Sequence, residues 1–589
     1  LISDKKPEFF KEIMRQNLIV LTVFFAISQL FAQTHFYVNG ITGNDSNPGT
    51  SVASSWKTIQ KACNAATAGG IVHIAPGTYT ESLEPHVSGT ATNLITFKAD
   101  LPETVFIDGT GTNFICLLRV ENRSYLHFEN LVFQNLTKNA CNGVVVETLG
   151  NPSATGISFK NCIIRNIRWT ANTNAQPDDS DNAHPFIAFG RNGGLTNLTL
   201  DGLQVYNNIT GYSEALTLEG NISGFVVKNC TVRDNSNIGI LISGQRGVSD
   251  VNDTVRNGTV SNNLCYNNIN PNSMSGGIYV CGGSNVIIER NTCHTNGYGI
   301  EIGAEEDENT HDITVKNNIL YNNQGGGVEV GGYNEDSAGI VTNCVIRNNT
   351  FYKNDTFNES VGELHITKVS NCVIQNNIFY TSAQRSLFSV HEIAPQSGIS
   401  FHHNSWFSPG NNPANASVIW HHVEYNNFST YQSQFSFDPY STFSNPGFVS
   451  VTGTLDFHLT GNSPCINQGN GATVITADEK DFDGNNRIVG GVIDRGAIES
   501  GNALAVAPAA LLECSLLPNP ASTAVTLKLT ENPDNGVVEF FDNLGRSVLT
   551  ENVSQIETVL DVSRLPEGIY FVKITNGASQ STLKLLIER

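Results

Sequence analysis

Glu301 and Glu329 are the residues of this sequence best spaced to do chemistry together. They sit in matching strings, Gly299-Ile-Glu-Ile and Gly327-Val-Glu-Val, 28 residues apart. If one winding of the chain takes that many residues, the two carboxyl groups face outward side by side. Their separation is then about 5 Å, the spacing of a retaining glycosidase pair. Two acids that close cannot easily both ionise, so one pKa should rise, which suits a general acid. The same outward column holds Leu241 and Tyr279 before the pair and His365 after it, with Glu363 beside His365. Tyr279 could stack on a sugar ring and Glu363 could contact substrate. His365 could share proton transfer or position the substrate. The competing reading is a solvated polar face.

A second acidic group follows these strands. Glu305, Glu306, Asp307 and Glu308 fill one loop, and Glu335 with Asp336 fill the equivalent loop one winding on. Stacked, these carboxylates would suit a hard cation such as Ca²⁺. Unstacked, they are a solvated loop. Asp178-Asp-Ser-Asp181 is another candidate Ca²⁺ loop or a lid over substrate. Asp481-Phe-Asp483-Gly484-Asn485 puts its glycine fourth rather than sixth, so a turn fits it better. A Ca²⁺-dependent lyase would also need a basic residue, and Arg246 and Lys368 are the nearest. No GxSxG, P-loop or HExxH string is present.

The elements that must position these residues are read from repetition. Windows of twelve residues starting at Gly224, Asn285, Asp312, Asn343 and Asn371 align, with apolar second, fourth and ninth places and usually Asn at the sixth. Weaker copies start at Tyr125, Gly156, Asn197, Asn257 and Gly398. The sixth place falls at Asn130, Asn161, Gly202, Asn229, Asn262, Arg290, Asn317, Asn348, Asn376 and His403. Period-two alternation within a period near 28 means short strands joined by turns. The sequence therefore predicts an all-β chain, a parallel β-helix of about twelve coils. Asn suits its turns because it tolerates the left-handed region and its amide can bond an identical amide one coil away. A helix over 56–66, capped by Ser54 or Ser55, should cover the open N-terminal end. Twelve Cys could suggest disulfides. Yet Cys344 and Cys372 share one repeat place, as do Cys265 and Cys293, which predicts stacked buried thiols rather than bridges.

Tyr37 to Thr50, Trp56-Lys-Thr-Ile59 and Val72 to Tyr79 resemble the start of secreted right-handed β-helix proteins of the pectate-lyase-like superfamily. That resemblance spans 35 to about 410 and implies fold more than activity. Segments Asn462–Gly469, Asp481–Arg487 and Gly491–Glu499 resemble the choice-of-anchor Q tail, which implies a structural C-terminal cap over 411–500. After a linker at 501–513, residues 514–589 read as a small β-sandwich. Leu517-Pro-Asn-Pro-Ala521, Phe541–Arg546 and Leu565–Ile574 resemble the type A sorting domain of the type IX secretion system of Bacteroidota. The resemblance implies passage through that translocon, then release or surface attachment. At the other end, a basic start at Met14-Arg15 and an apolar run from Leu18 to Phe31 read as a signal peptide, with 1–32 outside the fold and the β-helix occupying 33–410. No later segment is apolar enough to span a bilayer.

The formal net charge is −21 and only 15% of residues are charged. A surface of that sign offers nucleic acid no basic stripe. The sequence thus predicts a secreted, monomeric protein that engages extracellular polysaccharide, cleaving it with Glu301, Glu329 and His365. A Ca²⁺-dependent lyase and a non-catalytic adhesin or glycan-binding rod are the alternatives.

Overall fold

In the computed structural model, residues 33–589 are described apart from 271, 333–337, 383–385, 392–396, 410–411, 435–437, 502–509, 513, 531, 534–535, 543–545 and 577–578. The expected leader and the acidic residues Glu335 and Asp336 lie outside the described residues. Two compact units divide at Gly501.

The first unit is a parallel β-helix of about twelve coils. One coil runs Ser284–Glu289, Thr292–His294 and Tyr298–Ala304, and each strand pairs in parallel with its counterpart one coil on. The three strand positions build three sheets, called here sheets 1, 2 and 3 in that order. Alternate side chains point inward. The flanking aliphatics of sheet 3, Ile278, Val280, Ile300, Ile302, Val328 and Val330, are fully buried. Like residues stack on like along the axis, as in Phe97–Phe128–Phe159 with centroids 5.4 and 4.8 Å apart. Cys265 pairs in register with Cys293, and Cys344 with Cys372. All twelve cysteines are free thiols, eleven of them buried, as the shared repeat places predict.

The asparagines divide two tasks between neighbouring places. All ten residues at the sixth place have φ between +51° and +71°, including Arg290 and His403. The amide ladder belongs to the next residue instead. Asn263, Asn291, Asn318, Asn349, Asn377 and Asn404 pass side-chain hydrogen bonds of 2.9–3.1 Å along the stack. A second ladder runs through the twelfth place, from Asn208 by Asn235, Asn268, Asn296 and Asn323 to Asn354. Buried amides with every donor paired hold the turns in one register.

At the N-terminus a helix is present but begins later than expected, at Ile59–Ala65, with Thr58 as its N-cap. Trp56 is instead taken up by the first strand, where its N–H donates to Tyr37 O at 2.8 Å and its ring stacks on Phe36. At the other end the expected C-terminal cap separates into two parts. Ser417–Trp420 extends sheet 3, Thr442–Phe443 extends sheet 2, and the helix Phe428–Gln434 packs Phe428 and Tyr431 into the core. The chain then returns along the flank. Glu479 forms a bidentate pair with Arg347 at 2.7 Å and bonds Lys316 at 3.0 Å, while Asn317 donates to Lys480 O. The 481–485 segment is a turn closed by Asn485 N donating to Asp481 Oδ1 at 2.7 Å.

The second unit packs a five-stranded and a three-stranded sheet around Leu527, Val538, Phe540, Val572 and Leu585, the expected β-sandwich.

Candidate active site

Sheet 3 sets the predicted column in register. Leu241 pairs with Tyr279, Tyr279 with Glu301, Glu301 with Glu329, and Glu329 with His365. Neighbouring strands lie about 4.8 Å apart, so the two glutamates leave one wall one spacing apart. Their cleft has a volume of about 490 Å³, within the range of ligand sites, and is also lined by Tyr298, Glu305, Glu359, Met274 and Val361. Its floor is made by glycine. The residue two places after each glutamate is Gly303 or Gly331, and the place that a Cβ would take there is filled by the Tyr279 ring or by Thr367 Oγ1.

The two carboxyls are not equivalent. Burial pushes Glu301 well above the ordinary carboxyl range, and the charge on Glu329 adds to this. The Gly276 N–H, donating to Glu301 Oε2 at 2.6 Å, works against the shift and fixes the carboxyl in place. Burial would also raise Glu329, but His365 outweighs it, helped by the Tyr298 hydroxyl, so Glu329 lies below the ordinary range. His365 Nδ1 stands 3.3 Å from Glu329 Oε1. Glu329 still keeps about a quarter of its side chain open, 26%, although its Oε2 is itself buried without a hydrogen-bond partner. One acid is thus held protonated and its neighbour ionised, the division that acid/base and nucleophilic roles require.

The other predicted residues fare differently. Tyr279 is only 7% exposed. Its hydroxyl donates to Glu305 Oε1 at 3.0 Å, which lays the ring over Gly303, where a Cβ would meet the phenol oxygen at 2.5 Å. It is a wall rather than the open platform expected for sugar stacking. Glu363 points inward. It is fully buried and accepts from Asn354 N and Nδ2, ending the second asparagine ladder. Preceding coils explain this, because Gly277, Gly299 and Gly327 occupy the same place, and a Cβ on each would approach the ladder amide of Asn296, Asn323 or Asn354. A side chain here meets the ladder, so Glu363 is a structural cap and not a substrate contact.

The acidic loop is tied internally. Arg246 lies between Glu305 and Glu308, with Nε 3.0 Å from Glu308 Oε1. Glu308 also accepts from Glu306 N, and Asp307 accepts from Ala338 N. Among the described residues no three carboxylate, imidazole or thiol groups converge as a metal site would require. Of the two basic candidates, Arg246 is spent in this way and Lys368 is 4% exposed, packed against Gly332.

Tyr298, Met274, Glu359 and Val361 escaped the sequence reading. Tyr298 alone had a signal. It opens the strand that carries Glu301, and Gly325 one coil on leaves room for its ring.

Fold and site define a class, a parallel β-helix protein bearing an acidic cleft on one sheet and an export tail. Residues 243–362 match the model of the right-handed β-helix region, and 515–588 match the secretion system C-terminal sorting domain. The latter marks the protein for secretion or cell-surface attachment. Residues 41–86 match a family described as a protein of unknown function, DUF1565. The chain belongs to the family of the uncharacterized protein YwoF of Bacillus subtilis (strain 168), with which it is 32% identical over 434 residues, 72% of this chain and 90% of that protein. Solved structures with lower similarity include pectate lyase Pel9A, 15% identical with a TM-score of 0.41, covering 79% of this chain and 96% of that one. Another is the GH136 lacto-N-biosidase from Eubacterium ramulus, 13% identical with a TM-score of 0.39, covering 66% of this chain and 65% of that one.

Proposed function

We propose that the protein is an exported glycoside hydrolase that cleaves an extracellular polysaccharide with retention of configuration. The observation that carries this reading is the in-register pair Glu301 and Glu329 on one cleft, held in opposite protonation states. Glu301, protonated and steadied by the Gly276 N–H, donates its proton to the glycosidic oxygen as the bond to the leaving group breaks. Glu329, as the ionised carboxylate, attacks the anomeric carbon and forms a glycosyl ester. Glu301, now ionised, takes a proton from water, which attacks the same carbon and releases the sugar with its original configuration. His365 acts through Glu329 as a positioning residue that keeps the carboxylate charged.

The test is the purified chain against a polysaccharide panel, with reducing ends and unsaturated-uronate absorbance read with and without chelator. Proton NMR follows the first anomer released. The reading expects reducing ends without unsaturated product, a retained anomer and no effect of chelator. Unsaturated uronate products, or turnover abolished by chelation and restored by Ca²⁺, would replace it with elimination. An inverted anomer would remove the nucleophile role from Glu329.

A further inference from the structure

The charge of the cleft narrows its substrate. Four carboxyl groups line it, those of Glu301, Glu305, Glu329 and Glu359, and among the described residues no lysine or arginine does. Arg246, whose guanidinium reaches Glu305, is shared between it and the buried Glu308, one positive charge against two negative ones. Lys368 is buried and lies outside the lining. His365 is 7% exposed, lies outside the lining and faces Glu329, its Nδ1 3.3 Å from Glu329 Oε1. Apart from the protonated Glu301, these carboxyl groups only accept hydrogen bonds when ionised, so this cleft asks mainly for donors from its ligand. Sugar hydroxyls supply them. A uronate or sulfate brings further acceptors and a like charge into a site whose described lining holds no lysine or arginine to neutralise it, and like charges at these distances repel strongly where water is thinned. The half-buried Met274 and the mostly buried Val361 in the lining add apolar surface suited to the C–H side of a pyranose.

We infer that the cleft takes uncharged glycan chains and excludes uronate-bearing and sulfated ones. The inference rests on the cleft being the glycan site of the proposed function, and deepens it. It is tested on the full chain carrying Glu301→Gln, which leaves the cleft's charge as it is because Glu301 is the protonated partner. Calorimetric titration compares neutral hexasaccharides (β-1,4-glucan, β-1,3-glucan, xylan, mannan and N-acetylated chitin fragments) with hexagalacturonate, hexamannuronate and hexaguluronate. Measurements are made at about 20 mM and about 0.5 M salt, where screening differs several-fold in range. The expected result is that a neutral hexasaccharide binds and every anionic one binds at least about tenfold more weakly at low salt, with the gap narrowing at high salt. Glu359→Lys, at the exposed rim, should narrow it further. An anionic hexasaccharide binding as tightly as the best neutral one overturns the inference, and so does failure of every neutral one to bind. Neutral binding by a wild-type protein that turns nothing over leaves the inference standing and sinks the hydrolase reading instead.

Discussion

Glu301 and Glu329 differ because their surroundings differ, and each difference can be removed separately. The Tyr298 hydroxyl favours the charged form of Glu329. Tyr298→Phe should therefore raise the Glu329 pKa, so that the low-pH limb of kcat/KM moves to higher pH while the high-pH limb, set by Glu301, stays in place. A pH–rate profile checks this, with the two limbs read as properties of the pair. Gly276 holds the other carboxyl. A Cβ there would stand 2.8 Å from Glu301 Oε2. Gly276→Ala should reduce kcat by about tenfold or more, since displacing a reacting group by a fraction of an ångström is costly, while the circular dichroism spectrum is retained. The sequence disclosed the pair because outward residues repeat every second place and coils repeat near 28. It did not disclose Glu359, Met274 or Val361, because they sit in loops of unequal length that have no period to align. Tyr279 was placed correctly but misjudged, since the pull of Glu305 on its hydroxyl depends on a fold in the loop that spacing alone does not carry.

The coil is held by its buried amides, and Glu363 shows how such a ladder ends. Period-two alternation put Glu363 outward with His365, but the place belongs to a corner where earlier coils carry glycine facing the ladder. Burial pushes its carboxyl up to about 8, against the hydrogen bonds from Asn354. The group is thus protonated at neutral pH, and a raised folded-state pKa contributes stability that is present below the unfolded value and lost as pH rises through about 8. Glu363→Gln, a neutral group of the same shape, should be more stable than wild type at pH 7 and lack the decline that runs from the unfolded value up to about 8. Glu363→Ala should cost about 1–3 kcal/mol by leaving the Asn354 donors unpaired. Denaturant melts of the three proteins between pH 6 and pH 9 measure both effects. The left-handed turns, by contrast, were legible, since an Asn recurring at the sixth place of successive windings suits that backbone region; the ladder was not placed correctly, because it falls on the residue that follows.

At the scale of the molecule, the β-helix unit carries its own flank support. Glu479 is buried against Arg347 and Lys316, with side-chain exposures of 2, 8 and 11%. Burial alone would raise its carboxyl, but the two cations outweigh it and hold it below the ordinary range. A lowered pKa contributes stability that is present above the unfolded value, near 4.5, and lost as pH falls through the folded one. Glu479→Ala leaves two buried cations short of a partner and should cost about 3 kcal/mol. Hydrogen exchange should then rise first in residues 479–499 and in the strands around Arg347. The overall plan, a β-helix followed by a sorting sandwich, was readable because both are built from repeated or fixed strings. The return of residues 445–501 along the flank was not, because its partners are up to 163 positions away.

The account stands most directly on turnover by Glu301→Gln and Glu329→Gln on a glycan that the wild type cleaves. Each variant should lose about 10³-fold or more in kcat with the fold intact, and Glu301→Gln should also lose the high-pH limb of the profile. Wild-type turnover by either variant would contradict it.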